Sequence, residues 1–238
     1  MSHLGTALDR WKLIRTWTFR GPTWRGALLA LAVFAVAGVA VLPAVHPYLA
    51  VTERLQTSVL VVEGWLPDFA LQAALDEFHR GGYREIWVTG GPLERGSPLF
   101  EYRTHAELGR VILEKLGAPP GVVRAVPAPK VQKDRTFASA VALRKWWRQQ
   151  PNPAPAFNVL STDAHARRTR LLFAKAFGDS PRIGIIATPD ERYDGARWWR
   201  SSDGVRTVLS ELIAYTYARI FASLADDLVE PAAPAGAK

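Results

Sequence analysis

The side chains best suited to chemistry in this 238-residue chain follow short apolar runs that have the composition of buried strands. Glu63, Gly64 and Trp65 come directly after the apolar run at 59–62. In open α/β sheets, ligands bind just beyond the carboxyl ends of the strands. An acid, a glycine and a tryptophan at such a point predict a ligand site, in which Glu63 would be the acid/base catalyst if the protein is an enzyme.

Three further segments with polar groups follow predicted strands in the same way. They are Thr89, Gly90 and Gly91 after the second strand, Asp134, Arg135 and Thr136 after the third, and Ser161, Thr162, His165 and Arg168 after the fourth. The glycines leave backbone N–H groups uncovered, so that a phosphate or carboxylate could approach them. If the sheet is parallel, all these groups meet at one edge, which predicts a site for an anionic ligand.

The segment 161–168, STDAHARR, carries cations at a predicted helix start. Arg167 and Arg168 there oppose the helix macrodipole by about 0.3–1 kcal/mol each, and a bound anion would reverse that effect. The same helix end should lower the pKa of His165, which suits a neutral base or a hydrogen-bond donor. The simpler alternative is that both arginines point to solvent and that His165 only caps the helix.

Several other kinds of site are not indicated. The chain has no cysteine, and its five histidines show no ligand spacing, so we predict no metal. Dinucleotide, P-loop and GxSxG motifs are absent, and the cofactor stays unknown.

Glu63 could pair with Asp68 or Asp163 as acid and base, although capping of a helix explains both aspartates more simply. Glu63 could also hold a neighbouring arginine.

The elements that position these residues alternate between strands and helices. Strands are predicted near 58–63, 85–89, 122–126, 157–161 and 182–187, and helices over 68–80, 105–116, 134–147, 163–178 and 203–224. Asp68, Thr104 (with Glu107), Asp134, and Thr162 or Asp163 are the expected caps. The pattern predicts a Rossmann-like, doubly wound parallel sheet of about five strands. A (β/α)8 barrel needs ~250 residues, more than this domain has.

One N-terminal transmembrane helix is predicted to precede the sheet. Gly26–Val45 is 20 residues without a charge, about the ~20 that cross a bilayer core. Five basic residues precede it, which places the N-terminus in the cytoplasm and the domain outside. A cleaved signal peptide and a buried soluble helix are the alternatives. The predicted parts are a basic segment 1–25, an anchor 26–47, a linker 48–57, the α/β domain 58–224 and a flexible tail 225–238.

The net charge of +8 leaves polyanionic partners and anionic membrane surfaces open. The basic residues form no compact stripe, and the domain is expected to face away from the cytoplasm. Nucleic acid is therefore not an expected partner.

The motifs VVEGWLPD, TGG, DRTFASA and STDAHARR resemble those of the SanA/ElyC/YdcF-like family of bacterial proteins. The resemblance covers about residues 57–220. It implies a Rossmann-like domain, often behind a single membrane helix, at the inner membrane and facing the periplasm, with a role in envelope biogenesis on peptidoglycan or lipid-linked intermediates. The chain differs from the family pattern at EGW, at His105-Ala106 and at Ser139-Ala140.

Two functions of different classes follow. The first is a membrane-anchored envelope factor that binds an anionic, phosphate-containing small molecule or a lipid-linked intermediate at the strand ends. The second is a non-catalytic module that assembles envelope enzymes through its tryptophan-rich loop. In each of the pairs Trp146–Trp147 and Trp198–Trp199, one ring is expected to be packed and the other exposed.

Overall fold

The computed structural model describes residues 21–94 and 101–221. The chain divides into two compact units, residues 1–41 and 42–238. Most of the predicted basic segment, residues 95–100 between the second predicted strand and the next helix, the last three residues of the predicted helix 203–224, and the predicted tail lie outside the described residues.

The predicted membrane segment is a single helix, α1, over Trp24–Leu49. Its 26 residues give a length of about 39 Å, and it is long and apolar enough to cross a membrane. The helix extends the predicted segment 26–47 by two residues at each end. Pro43 and Pro47 lie inside it.

The domain contains a five-stranded parallel sheet, as predicted. The strands are β1 (Val59–Glu63), β2 (Glu85–Gly90), β3 (Val123–Pro127), β4 (Ala156–Thr162) and β5 (Arg182–Thr188), in the spatial order β3-β2-β1-β4-β5. The helices are α2 (Asp68–Gly81), α3 (His105–Leu116), α4 (Arg135–Arg148), α5 (Ala166–Phe177) and α6 (Ser202–Phe221). The strand order reverses between β1 and β4, which is the point where open α/β sheets bind ligands.

Alternate residues of β1 enter two different cores. Val59 and Val61 pack with apolar residues of α4 and α5, whereas Leu60 and Val62 pack with those of α2 and α3. Side chains alternate across a strand, so a strand that is buried on both faces must be apolar throughout. This arrangement is why the run at 59–62 shows no polar alternation.

The capping box of the helix over 105–116 was predicted correctly. Thr104 and Glu107 form the capping box of α3, and Gly82 and Gly117 end α2 and α3 in the left-handed conformation.

The other predicted caps do not form capping hydrogen bonds through their side chains, although Asp134 does stand at the predicted cap position. Pro67 stands at the cap of α2, and Asp134 at the cap of α4 makes no side-chain hydrogen bond and has φ 56°. Neither Thr162 nor Asp163 caps by its side chain, because 163–165 forms a separate turn of 3₁₀-helix. Aspartate adopts the left-handed backbone conformation more readily than most residues. A prediction of caps from residue type alone does not distinguish that conformation from the extended one of a capping residue.

The segment 48–57, predicted as a linker, is held against the domain. Leu49 is fully buried, and the backbone of Glu53 exchanges hydrogen bonds with Ile185 of β5 at 2.7 and 3.0 Å. The side chain of Asn158 bonds both the N–H and the carbonyl of Leu55, each at 2.9 Å. The buried amide of Asn158 needs these backbone partners, and they fix the segment on the sheet.

The two tryptophan pairs differ. Trp198 is 1% exposed and Trp199 is 36% exposed, as predicted. Trp146 and Trp147 are both half-buried, so that prediction was wrong. Their rings pack edge-on against Trp87 and Phe177, with ring centroids 4.9 and 5.9 Å apart.

Candidate functional site

The parallel sheet brings the ends of β1 and β4 side by side, and a buried carboxylate joins them. Glu63 is 1% exposed, and its Oε2 accepts hydrogen bonds from the hydroxyls of Ser161 (2.6 Å) and Thr169 (3.2 Å). Its Oε1 accepts a longer one from the indole N–H of Trp65, at 3.4 Å. Glu63 therefore links β1, β4 and α5 at the point where the strand order reverses.

His165 lies between two carboxylates. Its Nδ1 is 3.0 Å from Oε1 of Glu211, which comes from α6, and its Nε2 is 3.7 Å from Oε1 of Glu63. Arg168 closes the cluster by donating from Nε and Nη2 to both oxygens of Glu211, at 2.8 and 3.0 Å. We call these four side chains, Glu63, His165, Arg168 and Glu211, the edge network.

The imidazole of His165 is protonated at neutral pH. Burial favours the neutral ring, but the nearby charges of Glu63 and Glu211 outweigh it and raise the pKa of His165 to about 9. The protonated Nδ1 donates to Oε1 of Glu211, and Nη2 of Arg168 donates to the same oxygen. The 3.0 Å between Nδ1 and Nη2 is therefore the distance between two donors that share one acceptor. The expected lowering of the pKa of His165 was wrong, because two close carboxylates outweigh the partial charge of a helix end.

Both carboxylates of the edge network are ionised at neutral pH. Burial opposes ionisation of Glu211, but hydrogen bonds from His165 and Arg168 lower its pKa to about 2. Burial likewise opposes ionisation of Glu63, and the charge of His165 with the hydroxyl of Ser161 holds its pKa below the usual range. An anchored, ionised Glu63 is suited to positioning His165. It is poorly suited to donating a proton.

Alternative partners of Glu63 are engaged elsewhere. The carboxylate of Asp163 is 2.6 Å from Nε2 of His46, and Asp68 is exposed on α2. Arg168, the neighbouring arginine, bonds Glu211 instead. The charged group that faces Glu63 is a histidine, at 3.7 Å, and not an arginine.

Gly64 and Gly90, predicted to border a ligand, allow the start of α3 to approach the strands. A Cβ on Gly64 would lie 2.3 Å from the carbonyl oxygen of His105, and one on Gly90 would lie 2.7 Å from the His105 Cβ. Gly91 has room, since a Cβ there would meet its nearest atom, the Pro129 carbonyl oxygen, at 3.6 Å. The hydroxyl of Thr89 is buried and donates to the Ser139 carbonyl at 3.3 Å. Contacts within the protein thus explain Gly64, Gly90 and Thr89, and Gly91 is the one residue of the four that they do not explain.

The remaining predicted residues surround the edge network at different depths. Asp134 and Arg135 are exposed, and Arg135 pairs with Glu94 at 2.8 Å, whereas Thr136 and Thr162 are buried. Arg167 faces away from the network, with its guanidinium 4.0 Å from the centre of the Tyr48 ring. Trp65 is 41% exposed, and its ring meets that of His165 edge-on at 5.0 Å, so it forms the outer wall of the cluster.

Three residues of this region were missed by the sequence analysis: Thr169, Glu211 and His46. Glu211 lies in α6, 43 positions from Arg168. No local pattern marks it. The buried arginine and histidine at 165–168 required a nearby acid, and that need was the one available signal.

Other parts of the described structure offer less support for a metal or ligand site than the edge network does. Among residues 21–94 and 101–221, no group of three or more His, Cys, Asp or Glu side chains could hold a metal ion. An open depression of 390 Å³ lies against Asp76, His79 and Arg80 at the end of α2. That end leads into the start of β2, so the depression belongs to the amino edge of the sheet, opposite the edge network.

Comparison with protein-family models finds no match, and comparison with curated proteins finds no significant match.

Proposed function

We propose that this domain binds an anionic, phosphate-containing ligand at the carboxyl edge of its sheet. The observation that carries the proposal is the buried imidazolium of His165. Its Nε2 is buried and makes no hydrogen bond to any described residue, and it lies behind the half-exposed ring of Trp65. A buried N–H of a cation without an acceptor favours an anionic oxygen from outside the protein.

The charges around the edge network suit such a ligand. Two carboxylates and two cations make the network itself neutral, so a bound anion meets no net negative charge. Arg168 keeps its Nη1 amino group without a partner among the described residues. Exposed basic groups from the loop after β3, Lys130 and Lys133, and Arg135 at the start of α4 add attraction at the same edge.

We propose further that the protein is a single-pass factor of the bacterial inner membrane that acts in envelope biogenesis. The apolar α1 and the basic residues before it support an anchor with the domain on the periplasmic side. The envelope role rests on the resemblance of the strand-end motifs to the SanA/ElyC/YdcF-like family. The ligand would be a small molecule or a lipid-linked intermediate of that compartment.

A non-catalytic binding or assembly module is the second candidate. The edge network favours it in one respect: Glu63 and Glu211 are ionised and His165 is protonated at neutral pH, so no group of the network is poised to exchange a proton there. Complementation separates the two classes. If Glu63→Gln and His165→Ala both restore envelope integrity to a deletion strain, while the variants remain folded, the enzyme hypothesis fails.

Ligand binding is tested with the full chain in nanodiscs. Inorganic pyrophosphate, a nucleotide-sugar and a polyprenyl pyrophosphate serve as probes in thermal unfolding and titration. Arg135→Ala should weaken binding of the active probe roughly tenfold, the equivalent of one charged hydrogen bond.

Arg110→Ala is the matched control, because Arg110 forms a comparable ion pair with Glu114 on α3, outside the proposed site. Equal weakening in both variants would indicate a non-specific charge effect. No response to any of the three probes would exclude the phosphate proposal and favour the assembly module.

A further inference from the structure

The last turns of α1 pack on the segment that builds the edge network. His46 bonds the carboxylate of Asp163 through Nε2 at 2.6 Å, and Asp163 precedes His165 by two residues. Leu49 is buried in one apolar cluster with Ala164, the residue between them. Asp163 itself has a left-handed backbone, with φ 37°.

Two more contacts join the same parts of the chain. Trp198 donates from its indole N–H to the Leu42 carbonyl at 3.1 Å, and it is buried in the cluster that contains Leu49 and Ala164. Arg167 donates to the Tyr48 carbonyl and stacks on the Tyr48 ring. Residues 42–49 therefore belong to the domain and border its carboxyl edge.

The length of the apolar run places this edge relative to a bilayer. Gly26–Val45 is 20 residues without a charge, about 30 Å of helix, which equals the hydrocarbon core and leaves none to spare. If this run crosses the bilayer, its last residues, 42–45, which pack on the domain, lie at the outer boundary of the core, and His46 is the first residue beyond it. Asp163, 2.6 Å from His46, then lies in the headgroup layer, which is about 5–7 Å deep on each side.

We propose that the site at the carboxyl edge opens into the headgroup layer and binds the phosphate of a membrane lipid. This inference rests on the proposed function and narrows its ligand to one source. A headgroup confined to that layer has a high effective concentration at the site, so that a few donors, such as Nε2 of His165 and Nη1 of Arg168, are enough for binding with the added attraction of Arg135. The same phosphate on a soluble molecule lacks that advantage.

The depth of the site can be measured without any ligand. The native chain has no cysteine, so a single introduced cysteine carries a unique nitroxide label. Trp65→Cys places the label at the edge network, and Arg80→Cys places it on α2 at the amino edge. In nanodiscs that contain a Ni²⁺-chelating lipid, we expect several-fold stronger relaxation of the label at position 65 than at position 80.

The source of the phosphate is tested with a matched pair of probes. Phosphatidic acid in phosphatidylcholine nanodiscs carries the phosphomonoester of soluble glycerol 3-phosphate on a lipid. We expect phosphatidic acid to raise the unfolding midpoint of the full chain, and glycerol 3-phosphate to bind at least about tenfold more weakly. The shift should be smaller in Arg135→Ala, and a sulfonate lipid of the same density should not reproduce it.

The outcomes separate the two proposals. Three results would overturn the inference and leave the proposed function standing. The first is an equal response to the lipid and the soluble phosphate, and the second is an equal response to the sulfonate lipid. The third is a label at position 65 that lies no closer to the headgroups than the label at position 80. If neither phosphate probe nor any of the three probes above binds, the proposed function fails and the inference fails with it.

Discussion

The edge network shows how single residues depend on one another in a buried cluster of charges. Four ionised groups are held within the protein, and each is neutralised only by its neighbours. Removing one partner from such a pair leaves an uncompensated buried charge and costs about 3–5 kcal/mol. These residues are therefore expected to influence stability as well as ligand binding, and variants need a stability control.

Glu63→Gln tests the positioning role of Glu63. The amide can still accept from Ser161, but it removes the negative charge that faces His165. We expect the free energy of unfolding to fall by about 3 kcal/mol in denaturant titrations of the full chain. Glu114→Gln on the exposed side of α3 is the control and should change it by less than about 0.5 kcal/mol. Equal effects of the two substitutions would contradict a structural role for the Glu63 charge.

The pH dependence of stability follows from the direction of each pKa shift. The pKa of His165 rises from 6.5 to about 9 on folding, so its contribution is complete below pH 6.5 and is lost as the pH rises through 9. The pKa of Glu211 falls from 4.5 to about 2, so its contribution is complete above pH 4.5 and is lost as the pH falls toward 2. Stability from this network should therefore be greatest between about pH 4.5 and 6.5.

His165→Gln isolates the alkaline limb of that profile. The wild-type chain should lose roughly 3 kcal/mol between pH 6.5 and 9.5 through this one group. The variant should be less stable at pH 6 and nearly flat over the same range, as measured by urea unfolding at each pH. A wild-type profile that is already flat there would show that His165 is not protonated in the folded protein.

At the scale of elements, glycines decide how closely α3 approaches the sheet. Gly64 at the end of β1 lets the first turn of α3 lie against the strand, and a Cβ on Gly109 would lie only 3.0 Å from the Gly64 Cα. The contact is between backbones, which cannot move aside as a flexible side chain would. This packing explains Gly64 and, through its contact with His105, Gly90 without a ligand, but it does not explain Gly91.

Gly64→Ala should disrupt that contact. Its Cβ would meet the His105 carbonyl oxygen at 2.3 Å, and we expect a loss of about 1–3 kcal/mol in unfolding free energy. Gly91→Ala is the control, because a Cβ there meets ordinary van der Waals distances. If Gly64→Ala unfolds at the same temperature as Gly91→Ala, the close approach of α3 is not a constraint on this position.

At the scale of the whole molecule, the charge asymmetry around α1 fixes an expected orientation. Five basic residues precede the apolar run, and the flank from His46 to Glu53 has no Lys or Arg. A C-terminal alkaline phosphatase fusion should be active in a bacterial host, and a C-terminal fluorescent protein that matures only in the cytoplasm should be dark. The reverse pattern would overturn the proposed periplasmic location of the domain.

The sequence by itself determined the features that depend on neighbouring residues. The apolar run of α1, the buried strand at 59–62 and the capping box of α3 are local patterns of composition and period, and each was predicted close to its observed position. The same patterns predicted the class of sheet, since alternating strands and helices leave few other arrangements. They also predicted that Glu63, His165 and Arg168 lie at one edge.

Only the tertiary structure decided which partners these residues have. Glu63 meets Thr169 across 106 positions, and His46 meets Asp163 across 117. Pairs so far apart leave no trace in local composition. The protonation of His165 depends on two other distant contacts, those with Glu63 and Glu211. The helix start that was expected to lower the pKa of His165 is present in the sequence. The buried carboxylates that raise it come from β1 and α6, and only the fold brings them together.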